Sequence, residues 1–147
     1  MKYSRNVVNS FIVLVLLSLV SCNLGKTTKD QTSIAAKLTA NSEVPATTSK
    51  GKGTLKGEVD NKTSTLTWTI NYSDLSGPVI GAHFHGPAVE GKNADVAVPI
   101  IGNLANPISG TANLTATQMQ GLLDGKWYVN LHTAANPDGE IRGQISK

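Results

Sequence analysis

Thr65-Leu66-Thr67-Trp68-Thr69-Ile70-Asn71-Tyr72 is the stretch that decides the fold. Apolar and polar residues alternate through all eight positions, so one face is apolar and the other polar only if the chain is extended. Thr, Trp, Ile and Tyr also favour a pleated, half-buried surface. The run before it alternates around Leu55 and Val59, with Asp60-Asn61-Lys62 as the turn between the two. Further along, Trp127, Val129 and Leu131 alternate with Tyr128, Asn130 and His132, and Ile141 and Ile145 alternate with Glu140, Arg142 and Gln144. Weaker runs occupy 33–40, 80–85, 96–100 and 108–114. Short strands punctuated by turn residues predict an all-β antiparallel sandwich of seven or eight strands. One short helix interrupts them. Thr115 and Gln118 stand at capping-box spacing, Leu114 and Met119 are placed as a hydrophobic staple, and Gly125 suits the helix end. The helix is expected to plug an open end of the sandwich.

The last two strands carry a register argument. Asn136-Pro137-Asp138-Gly139 reads as a turn, with 134–139 as the loop between the strands. A one-residue slip would turn one strand's apolar set into solvent. Opposing His132 with Glu140 or with Arg142 keeps the faces matched, and opposing it with Ile141 does not. Tyr128, Asn130, His132, Glu140, Arg142 and Gln144 are therefore expected on one polar face.

The amino terminus has a different character. Lys2 and Arg5 precede an apolar run over 11–17, continued by Ser18-Leu19-Val20. That run is short of the roughly 20 residues a spanning helix needs, and it ends in Leu19-Val20-Ser21-Cys22. The pattern is that of a bacterial lipoprotein: 1–21 a signal peptide, and Cys22 the first mature residue, carrying diacylglycerol on its sulfur and acylated (palmitate-type) on its new amino group. Cys22 is the only cysteine, so no internal disulfide competes for the thiol. Two or more acyl chains give stable anchoring. Residues 22–32 read as the lipidated cysteine and a polar, flexible tether, and 33–147 as one domain. The partner expected from the anchor is the membrane, in the cell envelope. Asn23, where an aspartate is absent, points by analogy to the outer membrane. Losing Lys2 and Arg5 from a formal charge of +3 leaves +1. No basic stripe for nucleic acid survives.

The three histidines carry the chemistry. His83 and His85 flank Phe84, and residues two apart on a strand share a face roughly 6.5–7 Å apart at the backbone. His132 lies on the polar face of another strand. If the strands adjoin, His83, His85 and His132 form a cluster suited to zinc, copper, iron or nickel, with Glu140 available as a fourth ligand. The competing reading has these rings hydrogen-bonded to backbone or carboxylates, tying loops to the sheet. Glu140 and Arg142 fit a surface cross-strand pair or polar network. Tyr128, Asn130 and Arg142 are the candidate residues of a polar binding face. Ile80, Ala82 and Phe84 are expected in the core, as are Trp68 and Trp127. No nucleophile–base arrangement, paired carboxylates or phosphate loop is present.

Three segments resemble the CHRD domain, first described in chordin and widespread in microbial secreted proteins. They are Leu38-Thr39-Ala40-Asn41-Ser42-Glu43-Val44-Pro45, then Gly81-Ala82-His83-Phe84-His85-Gly86-Pro87-Ala88, then Tyr128-Val129-Asn130-Leu131-His132-Thr133 with Asn136-Pro137-Asp138-Gly139-Glu140-Ile141-Arg142-Gly143-Gln144. The likeness runs from about Ser33 to Ile145. It implies an immunoglobulin-like β-sandwich, comparable with copper/zinc superoxide dismutase, and would place His83, His85 and His132 at a copper-like position. Dismutase activity does not follow. Such a site needs more histidines than three, one of them bridging two metals, and a disulfide for which no cysteine is left. The growth-factor binding of chordin is not carried over either.

The sequence therefore points first to a non-catalytic, envelope-anchored binding or structural module, whose ligand is an unidentified protein or small molecule. The alternative is a protein binding copper or zinc through the three histidines.

Overall fold

In a computed structural model, residues 30–147 and Met1 are described. The segment read as a signal peptide, Cys22 and the part of the expected tether up to residue 29 lie outside the described residues. The strands are β1 (Gln31–Thr39), β2 (Lys52–Asp60), β3 (Thr65–Ser73), β4 (Val79–His85), β5 (Val96–Pro99), β6 (Ile108–Asn113), β7 (Tyr128–Thr133) and β8 (Asn136–Gln144). One helix, α1 (Ala116–Leu123), lies between β6 and β7, and a 3-10 turn occupies Ala40–Ser42.

All eight strands join one antiparallel sheet in the order β5-β4-β7-β8-β1-β2-β3-β6. The sheet is rolled into a nearly closed barrel, all-β with one short helix as expected. The quoted alternation sets its core: Leu66, Trp68 and Ile70 of β3 are buried, with Leu55 and Val59 of β2 and Ile34 and Leu38 of β1 beside them. Trp68 meets Phe84 edge-on at 5.0 Å between ring centroids, and Trp127 is also in the core. Gly110 is required where β6 crosses Trp68, because a Cβ there would lie 2.5 Å from the indole.

The free edges are β5 and β6, and α1 links them. Thr115 accepts from the Gln118 backbone N–H, and the Gln118 side chain accepts from the Thr115 backbone N–H, completing the capping box. That cap also aims Gln118 at the far edge, where its Nε2 donates to Ala97 O of β5 at 3.0 Å. Gly125 ends the helix at a φ of +71°.

Three expectations about local geometry change. β1 starts at Gln31, two residues inside the segment read as tether. Ile80 is 61% exposed rather than in the core, because the β4–β7 register shifts between Val79 and Gly81 and reverses its face. The β7–β8 turn is Ala134-Ala135, and Asn136-Pro137-Asp138-Gly139 lies within β8. Asn130 opposes Arg142 and Leu131 opposes Ile141, the register in which His132 would face Glu140. The ladder then shifts, so that Thr133 opposes Asn136 and β8 carries the surplus residues as a bulge. Gly139 sits in that bulge at a φ of +133°, a backbone conformation open to glycine.

Candidate metal centre

Strand pairing brings the histidines together. β4 lies beside β7, with His83 opposite Asn130, Gly81 opposite His132 and His85 opposite Tyr128. His83, His85 and His132 thus share the outer face of two adjoining strands. Each offers one ring nitrogen, and these nitrogens all lie within 4.8 Å of one another. His83 Nδ1 and His132 Nε2 are 3.1 Å apart. Two imidazole nitrogens held by one tetrahedral zinc ion at 2.0–2.1 Å would be about 3.3 Å apart, so that pair is already at ligand spacing. The widest pair would close by on the order of 1 Å, an adjustment within reach of side-chain torsions.

Backbone carbonyls fix the tautomers. His85 Nδ1 lies 3.0 Å from Ala94 O, and His132 Nδ1 lies 2.9 Å from Pro137 O. A carbonyl only accepts, so both Nδ1 atoms carry the proton and both Nε2 atoms present a lone pair. With neutral rings, His83 Nδ1–H then donates to His132 Nε2. His85 Nε2 is buried and has no partner in the protein. Histidines that ligate metals characteristically give their other N–H to a carbonyl or carboxylate, which is the arrangement at His85 and His132. Burial lowers the His83 pKa, and the neighbouring His132 lowers it further. Burial also lowers that of His85, against the Ala94 hydrogen bond and with the positive fields of His83, His132 and Arg142. Both shifts favour the neutral ring that binds metal. The donor set fits a transition-metal ion with at least one coordination position left to solvent or a small ligand.

Glu140 does not join the cluster. The bulge carries it to another part of the barrel, where it is fully buried. Its Oε1 accepts from Ser49 Oγ (2.6 Å) and the Ser76 backbone N–H (2.7 Å), and its Oε2 accepts from Ser76 Oγ and Thr133 Oγ1. Burial alone would raise its pKa, but these donors outweigh it and bring the carboxyl down from 4.5 to about 2. Glu140 is a structural anion with its lone pairs occupied, and its place as fourth ligand is corrected accordingly.

The polar face is also not an open surface. Tyr128, Asn130 and Arg142 do share it, but they are 2%, 5% and 2% exposed. Loop 86–95 and the segment after Ala40–Ser42 cover them. Arg142 donates to Asn93 Oδ1 (2.8 Å) and to Lys92 O, and its guanidinium lies 3.3 Å from the Tyr128 ring centroid. Tyr128 also stacks on His85, 4.8 Å between centroids and 2° from parallel. Tyr128 Oη donates to Ala94 O (3.3 Å) and accepts from the Ala94 N–H (3.2 Å). Arg142, Tyr128 and Ala94 thereby set the orientation of His85. Ala94, Asn93 and Glu43 have no periodic signal in the sequence. Only the position of Glu43 inside the first quoted segment marks it.

A profile of the CHRD domain matches residues 34–145. Comparison with curated proteins and with solved structures finds no match to the chain. The profile spans β1 to the end of β8, including the three histidines, the loop that orients them and the bulge that removes Glu140: the chain belongs to the CHRD domain family.

Proposed function

We propose that this protein is a lipid-anchored envelope protein whose CHRD domain binds a transition-metal ion, copper or zinc, through His83, His85 and His132. The observation that carries the reading is His85 Nε2. It is a buried lone pair with no protein partner, in a ring oriented by Ala94, beside two further imidazoles. An unpaired acceptor in such a place costs on the order of 1–3 kcal/mol, and a metal ion relieves that cost. The domain is a binding module without catalytic apparatus of its own, and the burial of Tyr128, Asn130 and Arg142 argues against a second ligand face there. The lipid anchor rests on Lys2, Arg5, the apolar run and Cys22.

The test is a calorimetric titration of soluble protein starting at Asn23 with copper and with zinc. One equivalent is expected to bind more tightly than micromolar, and His83→Ala with His85→Ala is expected to weaken binding at least a hundredfold. Nitrogen-15 spectra supply a second readout. Binding through His83 Nδ1 moves its proton to Nε2, whereas His85 and His132 keep Nδ1–H. No binding above micromolar affinity, or equal binding by the double variant, overturns the reading.

A further inference from the structure

Glu43 is a carboxyl side chain that the metal centre does not use, 7% exposed on the segment between β1 and β2. It faces Asn130 of β7, whose Nδ2 donates to its Oε2 at 3.3 Å. The two remaining oxygens of the pair, Glu43 Oε1 and Asn130 Oδ1, are both buried and both without a partner. Both border the space above Gly139 of β8: a Cβ at that glycine would lie 2.9 Å from Glu43 Oε1, and 2.6 Å and 2.7 Å from the Asn130 Nδ2 and Oδ1. Two acceptors left facing the same space need one shared donor. A proton on Glu43 Oε1 supplies it and closes a ring: the amide donates to one carboxyl oxygen, and the other donates back to the amide oxygen.

We infer that Glu43 is held as a neutral carboxylic acid in a two-bond ring with the Asn130 carboxamide, and that this ring is a proton-operated latch on loop 86–95. The regulatory part rests on the metal reading above, because the loop is what orients His85.

The connections are short. Val44 O, one residue from Glu43, accepts from Asn93 Nδ2 at 3.1 Å. Asn93 and Lys92 hold Arg142, and Ala94 holds both His85 and Tyr128. Arg142 of β8 is the charged side chain whose field reaches Glu43. From β7 the facing group is the neutral Asn130, and from loop 86–95 the uncharged Asn93 carboxamide bridges Val44 O and Arg142 while the Lys92 carbonyl accepts from Arg142. Burial raises the Glu43 pKa from 4.5 to about 7, with Arg142 and the Asn130 hydrogen bond pulling the other way. Loss of the proton leaves Oε1 and Oδ1 opposed as two acceptors. The new anion also competes for Arg142, whose partners are on the loop. Either response loosens loop 86–95, and with it the carbonyl that sets the His85 tautomer.

The experiment uses metal-free mature protein, with carboxyl carbon-13 spectra of labelled glutamate and hydrogen exchange of loop 86–95 from pH 5 to pH 8. Glu43 is expected to titrate near neutrality. Exchange in the loop, corrected for its intrinsic pH dependence, should rise by up to about tenfold per pH unit from the ordinary carboxyl range up to that midpoint and level off above it. Glu43→Gln replaces the acid by an amide that closes the same ring without a proton, so its loop should exchange at pH 8 as the parent's does at pH 5. A Glu43 midpoint near 4.5 overturns the inference, and so does a pH step that persists in Glu43→Gln. The carboxyl titration needs no variant and decides the matter even if the substitution disturbs folding. Because no metal is present, failure of the latch leaves the metal titration untouched. A protein that binds no metal would still show the latch.

Discussion

At the level of single residues, Glu140 shows how a charged side chain can be fully buried without an ion pair. Four hydrogen bonds from Ser49, Ser76 and Thr133 replace its hydration, and they join the β1–β2 connection, the β3–β4 connection and the end of β7. Its folded pKa of about 2 lies below the ordinary 4.5, so its stabilisation is complete above pH 4.5 and is lost as pH falls toward 2. The difference corresponds to on the order of 3 kcal/mol at neutral pH. Glu140→Gln is expected to lose about that much at pH 7 in urea unfolding, and to flatten the fall in stability between pH 4.5 and 2. A variant as stable as the parent at pH 7 would show that the cage is not anionic. Parity allows Glu140 or Arg142 opposite His132, and up to Leu131 the strands keep the register that would bring Glu140 there. What it does not disclose is the bulge, since Asn-Pro-Asp-Gly reads equally well as a turn or as a kink inside a strand. The same limit applies at Ile80, where a register shift reverses a face that alternation assigns to the core.

At the level of elements, most of the architecture is legible. Alternation marks the long strands, and the two-residue spacing of His83 and His85 puts both on one face. Loop 86–95 and the Glu43 segment are not legible. They have no period, and their partners stand about 50 residues or more away in the chain, as Asn93–Arg142 and Glu43–Asn130 do. Helix α1 lies at the legible extreme, since Thr115 and Gln118 form the capping box that their spacing predicts. Removing the cap oxygen from such a site costs about 1 kcal/mol. Thr115→Ala is expected to lower stability by about that amount and to raise hydrogen exchange first in 116–123 and next in β5, because Gln118 is tied to Ala97. Exchange confined to the helix would show that the edge strand does not depend on it.

For the whole molecule, the chain enters the barrel at Gln31, the end that carries the Asp60–Thr65 turn and the start of α1. Lys62 pairs with Asp30 at 2.7 Å at that end. A lipid on Cys22 would hold this end toward the bilayer and leave the histidine face on the side of the barrel, open to ions diffusing along the envelope. Cys22→Ser is expected to abolish incorporation of labelled fatty acid and release the protein from the membrane fraction, with the domain's melting temperature unchanged. Retention of label in that variant would place the lipid elsewhere or remove it from the account.

The two free edges have one more consequence. β5 is four residues long and ends in Pro99, while β6 begins directly after Pro107. Short strands and prolines are poor templates for a neighbour's backbone. A protein confined to a membrane surface meets its own copies at high local density, where an unguarded sheet edge would seed polymers. Under a lipid anchor at Cys22, edges of this kind would let the barrel be crowded and remain a set of separate units, each keeping its own three imidazoles.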